Sequence, residues 1–213
     1  MEEKTTTDLT IEYIKEHPDI KNCLKKGLIN YSSLARLISK ELELEKKTSK
    51  EAILIAARRF RDKLKQELGQ EKKIKELLSK SDVDIKNKIV VFILEKGINL
   101  DMVDDIQKTI RRELGIFFML EGSDNYTIIT QEKYSSLVKN KLKLRITKEE
   151  KDLVLINFKT PKEIEQTKGV VSYLTSLFAE NDVNIVEFFS CWTDTVFVIY
   201  SNDLNKTINF LRF

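Results

Sequence analysis

The sequence is poor in the residues that break, bridge or metallate a chain: six glycines, two prolines, two cysteines, one histidine and one tryptophan among 213 residues. Two cysteines as far apart as Cys23 and Cys191 make neither a disulfide framework nor a metal-ligand set, so both are read as free thiols. With His17 alone, and next to Pro18, no triad or histidine-based metal cluster can be assembled. No run approaches the roughly 18 to 20 apolar residues of a membrane span, and the start Met1-Glu2-Glu3-Lys4-Thr5 has no basic stretch leading into an apolar one. A cytoplasmic protein with no membrane partner is expected. Phosphate-cradling glycine loops, dinucleotide fingerprints, zinc spacings and serine elbows are all missing, so no catalytic residue, metal or cofactor is assigned, and no enzyme is expected.

What is present is a chain with 41% hydrophobic and 33% charged residues, a balance that supports folded cores rather than disorder. The net charge of +3 is unevenly spread: residues 1 to 80 hold 19 basic and 14 acidic side chains, a local excess of +5. Over the same stretch apolar residues recur at three and four, the helical period. Helices are expected over Leu9 to Lys15, Asp19 to Lys26 with Gly27 as its stop, a segment capped by Asn30 or Ser32, and another from Thr48 or Ser49. The last has Ile53, Ala57, Phe60 and Leu64 on one face and Arg58, Arg59 and Arg61 on much of the rest. With Lys46 and Lys47 those arginines form the place where a nucleic acid would bind, since each neutralised phosphate releases counterions. A solvated helix face accounts for the same charges.

Past Ser81 the pattern turns strand-like. The run Ile89 to Leu94 is apolar at every position, as in a strand buried on both faces. A helix with Met102, Ile106 and Ile110, a hairpin around Gly122 to Asn125, a helix over Glu132 to Leu142 and a closing strand at Lys143 to Thr147 follow. The order βαββα then begins again at Asp152, offset by about 65 residues, with no closing strand of its own. That strand must come from elsewhere in the chain, or a sheet edge stays open for a partner. The expected fold class is α+β: an all-α domain over 1–85, a first βαββαβ unit over 86–150 and a second over 151–213.

The stretch Lys168-Gly169-Val170-Val171 through Asn181-Asp182-Val183-Asn184-Ile185 resembles, without gaps, the first half of an ACT domain of the aspartokinase regulatory type. Gly169-Val170 stands where that family opens its helix, and Val183-Asn184-Ile185 where it starts its second strand. Lys168 replaces the usual proline and Asp182 the usual glycine. In the first unit Gly97-Ile98-Asn99-Leu100 sits where the glycine loop would be. The resemblance implies two ferredoxin-like ACT-type units that bind a small effector, such as an amino acid, through Gly169, Val170, Asn184 and Ile185, and that assemble as a homodimer. More distantly, Ser33 to Ile38 and Ser49 to Leu64 resemble the two helices of a helix-turn-helix DNA reader.

Smaller features have plainer readings beside sharper ones. Asp101, Asp104 and Asp105 open a helix, where the dipole favours acidic groups whether or not a cation binds. Cys191 and Trp192 at a hairpin tip make either a small binding surface or an edge-shielding contact. Two functions result: a ligand-sensing regulator that controls a DNA-binding helical domain, or an interaction module that dimerises or regulates a partner enzyme without touching DNA.

Overall fold

The computed structural model describes residues 4–46, 48–64 and 68–213. Contacts divide the chain into two compact units, residues 1–73 and 74–213.

The first unit is helical: α1 (Thr6–Glu16), α2 (Pro18–Lys26), α3 (Tyr31–Glu41) and α4 (Lys50–Leu64), followed by α5 (Leu68–Leu78), which runs on into the second unit. Local chemistry sets the breaks. Thr5 and Asp8 form a reciprocal capping box on α1, Pro18 opens α2 where a missing N–H costs nothing, and Gly27 ends it at φ 73°. Asn30 caps α3 through the Ser33 amide, and Ser49 Oγ accepts from the Ala52 amide at the start of α4. The periodic face of α4, Ile53, Ala57, Phe60 and Leu64, packs with Ile14, Leu24, Leu34 and Ile38 in one core. At its margin the Tyr13 hydroxyl donates to Glu41 at 2.7 Å; burial first, then this bond, pushes its pKa up to about 12. Eight residues, 42–49, separate α3 from α4, where a helix-turn-helix uses three or four, so that resemblance is not supported.

The second unit is built on one antiparallel sheet in the order β2-β3-β1-β4-β6-β5. Its strands are β1 (Asp82–Glu95), β2 (Phe117–Glu121), β3 (Asn125–Gln131), β4 (Ile146–Lys159), β5 (Ile185–Cys191) and β6 (Asp194–Tyr200). Helices α6 (Leu100–Arg112), α7 (Ser135–Leu142), α8 (Val170–Glu180) and α9 (Leu204–Phe210) complete two βαββα passes offset by 64 to 70 residues. The closing strand that the second pass lacks is the first part of β1. Residues 82–86 of β1 pair with 155–159 of β4, whereas 89–95 pair with β3 and 91–94 with 146–150 of β4. Each 14-residue strand therefore opens one half of the sheet and closes the other. The expected boundary at 85/86 falls inside β1 and that at 150/151 inside β4. The charges of Asp82, Asp84, Lys86 and Lys88 place a domain boundary in this stretch, although Val83 and Ile85 keep the two-residue period of a strand.

Matching bulges mark the crossing. Lys88 and Asp152 take φ 56° and 57°, the register shifts on either side of Ile89, and Ile89 faces Leu153, both fully buried. On one face of the first half, Val90, Phe92 and Leu94 pack under α6 and α7; on one face of the second, Val154, Ile156 and Phe158 pack under α8 with Ile74, Leu77 and Leu78 of α5. The opposite faces make a third core that consists of strand residues alone: Ile89, Val91, Ile129, Leu153, Leu155, Val196 and Val198. Phe118 on β2 and Phe189 on β5 belong to the two outermost strands, yet their ring centroids are 4.8 Å apart. The sheet thus folds over at its bulges and covers its own second face. This explains why the 89–94 run is apolar on both sides.

Candidate functional site

The corner where β4 hands over to α8 is held against the tip of the β5–β6 hairpin. Thr160 donates to the Thr193 carbonyl through both its amide (2.9 Å) and its hydroxyl (2.7 Å). After Pro161 a 3-10 turn, Lys162–Gln166, leads to Gly169, which stands at φ 86° as the N-cap of α8 and supplies no side-chain cap. An added Cβ there would meet only the tip of Ile74 at 3.7 Å, so glycine answers to backbone conformation and not to space. The hairpin turns at Trp192, φ 54°, whose indole N–H donates to Glu165 Oε1 at 2.8 Å and whose ring lies 5.3 Å from the Lys162 ammonium. Between these pieces is a cleft of about 320 Å³, lined by Ile164, Glu165, Thr167, Gly169, Val170, Val171, Ser190 and Trp192. Trp192 is 60% exposed, although an aromatic ring of this size is ordinarily covered.

The corresponding corner of the first half is built to a different end. Gly97 again has a positive φ, 80°, but Asn99 caps α6 by accepting from the Asp101 amide at 2.9 Å. Lys96 reaches Glu121 on the hairpin at 2.6 Å and sits 4.2 Å from the Tyr126 ring centre. The hydrogen bond to Glu121 raises the Lys96 pKa and lowers that of the carboxylate. Of these two corresponding corners, the second is the one that opens its helix without a side-chain cap, beside a ring and a carboxylate.

Of the four ligand residues expected from the sequence, the fold brings Gly169 and Val170 to the cleft and sends Asn184 and Ile185 to the other end of α8. Eleven helical residues intervene, roughly 16 Å at 1.5 Å each. Val170 turns its side chain into the core and offers a ligand only its backbone. Asn184 is exposed, and Ile185 opens β5 opposite Ile199. Trp192, Ser190, Thr167 and Glu165 complete the cleft and are missing from the sequence-derived set. The sole signal for them was the lone tryptophan at a hairpin tip.

In the helical unit Lys46 and Arg59 are exposed, and Lys47 lies outside the described residues. The other two arginines converge on one ring: Arg61 donates to the Tyr31 hydroxyl at 3.0 Å, and Arg58 sits 5.3 Å from the Tyr31 ring centre. His17 stacks on Tyr13 at 4.1 Å, its Nδ1 2.7 Å from the Tyr13 carbonyl, which is a structural role. Asp105 pairs with Lys141 at 3.0 Å and Asp104 with Lys108. Among the described residues no three His, Cys, Asp or Glu groups are placed to hold a metal, and no helix is long and apolar enough to cross a membrane.

No family model matches this chain, and no curated protein does. Among solved structures, an aspartate kinase of Clostridium acetobutylicum described as an allosteric enzyme matches with a TM-score of 0.50 at 14% identity, over 61% of this chain and 33% of that one. A putative C-terminal regulatory domain of aspartate kinase from Porphyromonas gingivalis gives 0.46 at 12% identity, over 62% and 94%. The ligand-free regulatory subunit of the Thermus thermophilus enzyme gives 0.47 at 9%, over 61% and 92%. The matched part spans about a third of the Clostridium chain, and the likeness to that chain is one of fold.

Proposed function

We propose that this chain is a non-catalytic regulatory protein whose sheet unit, built as two interlocked ACT-like halves, binds a small effector carrying a carboxylate, an amino acid being the first candidate. The observation that carries this reading is the contrast between the two helix starts. Asn99 accepts from one first-turn amide of α6, that of Asp101, whereas the start of α8 has no side-chain cap and borders a cleft with Trp192. Amides at a helix N-terminus receive a carboxylate well, and a ring and hydroxyls beside them supply orientation. Glu165 gives an ammonium group a partner in the same cleft.

Trp192 is the only tryptophan, so its fluorescence reports on the cleft directly. Titration with amino acids and simple carboxylates up to about 10 mM is expected to change that emission and to raise the melting temperature together, because a ligand bound only by the native state stabilises it. No change in either with any of them would sink the reading. Trp192→Ala is expected to lose the melting shift and keep the fold, since the ring is largely exposed.

In this reading the helical unit is the element under control, through DNA or through a partner protein. Fluorescence anisotropy with duplex DNA at low salt, repeated with Arg58, Arg59 and Arg61 replaced by Ala, separates the two. Salt-sensitive binding lost in the variant favours DNA, and absent binding favours a protein partner.

A further inference from the structure

The exchange of strands leaves two stretches with only one neighbour each. Among the described residues, 82–86 of β1 pair with β4 alone, and 146–150 of β4 pair with β1 alone. Exposed edges invite pairing, and chains ordinarily guard them with charge or twist. The β4 edge is guarded. Glu149 is tied to Lys139 and Lys151, Lys148 to Glu150, and Glu150 to the Tyr200 hydroxyl. If two copies of this edge met in the antiparallel pairing centred between Glu149 and Glu150, glutamate would face glutamate and Lys148 would face Lys151.

The β1 edge differs in its order of charges, although here too one of them is held within the sheet, Asp84 by Lys159 of β4 at 2.8 Å. Its sequence, Asp82-Val83-Asp84-Ile85-Lys86-Asn87-Lys88, is a charge palindrome about Ile85. Two copies laid antiparallel on that residue put Asp84 of each opposite Lys86 of the other and Ile85 opposite Ile85 on the axis; Lys88, at the bulge, brings its charge near Asp82 outside the ladder. Val83 and Ile85, on the face they share with Phe158 and Ile156, are 41% and 37% exposed despite their apolar character. The bulge at Lys88 ends the edge there and limits the pairing to this short stretch.

We infer that residues 82–88 form a homodimerisation edge, at which a second copy of this chain adds antiparallel to β1 and joins the two sheets. The interface is isologous, since each copy presents the same self-complementary strand. It is also small, so the dimer is a weak and concentration-dependent one. This inference does not depend on the effector reading: the cleft at Trp192 could be empty and the edge would still pair.

Sedimentation equilibrium of the full chain between roughly 5 and 500 μM tests it. Reversible dimerisation is expected. Lys86→Asp turns both inner opposite-charge pairs into like-charge pairs and should weaken the dimer roughly tenfold or more. The swap Asp84→Lys with Lys86→Asp restores the pairing in mirror order and should recover the dimer. Ile85→Glu, which places two carboxylates on the axis and leaves the flanking charges alone, should weaken it independently. Far-UV circular dichroism and melting confirm that each variant is folded. A monomer throughout the range overturns the inference, as does a dimer indifferent to Lys86→Asp and Ile85→Glu. A folded swap variant that stays monomeric overturns it too, because the register is then wrong.

Discussion

The two halves of the sheet unit share an order of elements and differ at the corner where the first strand hands over to its helix. At the first corner Asn99 caps α6 and Lys96 joins Glu121; at the second, Gly169 leaves α8 without a side-chain cap and Trp192 stands over a cleft. The connections differ as well: residues 96–99 lead from β1 to α6 with Gly97 two before the Asn99 cap, whereas residues 160–169, a 3-10 turn among them, lead from β4 to α8 with Gly169 itself as the N-cap. Connection, cap and neighbouring side chains thus leave one corner closed as a structural joint and the other open as a cleft. The lesson is that a repeated fold carries its function in the departures from the repeat.

The largest expected effect tests whether the halves are separate at all. Phe92 is buried in the first half's helix-side core, and Phe92→Ala should cost about 3 to 5 kcal/mol. Because β1 and β4 serve both halves, Trp192 in the second half should lose its native emission at the same lowered midpoint. A Trp192 transition that stays at the wild-type midpoint would separate the halves.

Next come the paired glycines. Gly169→Ala and Gly97→Ala each force an L side chain into the left-handed region, at a cost of about 1 to 2 kcal/mol, and neither meets a close neighbour. Equal losses by chemical denaturation are expected, with effector binding weakened only in Gly169→Ala. A third comparison removes the cap that one half has and the other lacks: Asn99→Ala should cost about 1 kcal/mol, read from the denaturation midpoint.

The smallest effect concerns Glu187 on β5, which points with Phe189 toward the strand-only core. Burial pushes its carboxyl pKa above the usual carboxylate range, and Lys148 pulls the other way. A raised folded-state pKa means that the folded chain holds the proton more tightly than the unfolded one. The charged form is therefore a burden at neutral pH that fades on acidification. Glu187→Gln should raise the melting temperature slightly at pH 7, and the gain should vanish below about pH 4.

Much of the architecture was legible in the sequence because it rests on periodicity. The 89–94 run, the two helices of each half and the hairpin turns follow from apolar spacing and turn residues, and both passes appear in the order expected. The strand over 82–86 did not show, since two of its five residues are apolar and three are charged, which is how an edge differs from a centre. The cleft was half legible. Gly169 and Val170 follow from a local pattern in which glycine precedes a helix, but Asn184 and Ile185 are close to them only in sequence. Trp192 and Ser190 reach the cleft through the β5–β6 pairing, which no local spacing records.

Because each long strand completes the other half, the order of the polypeptide and the order of the structure disagree: the second half begins before the first. A fragment that stops at residue 150 or starts at 151 would carry a sheet with one strand torn from it. Conversely, a protease that opened the exposed turn at Lys143–Arg145, where Leu144 is bare to solvent, would sever the backbone and leave β1 and β4 clasped along their length. The two pieces should elute as one particle in size-exclusion chromatography until denaturant parts them, so that in this protein cleavage and separation are different events.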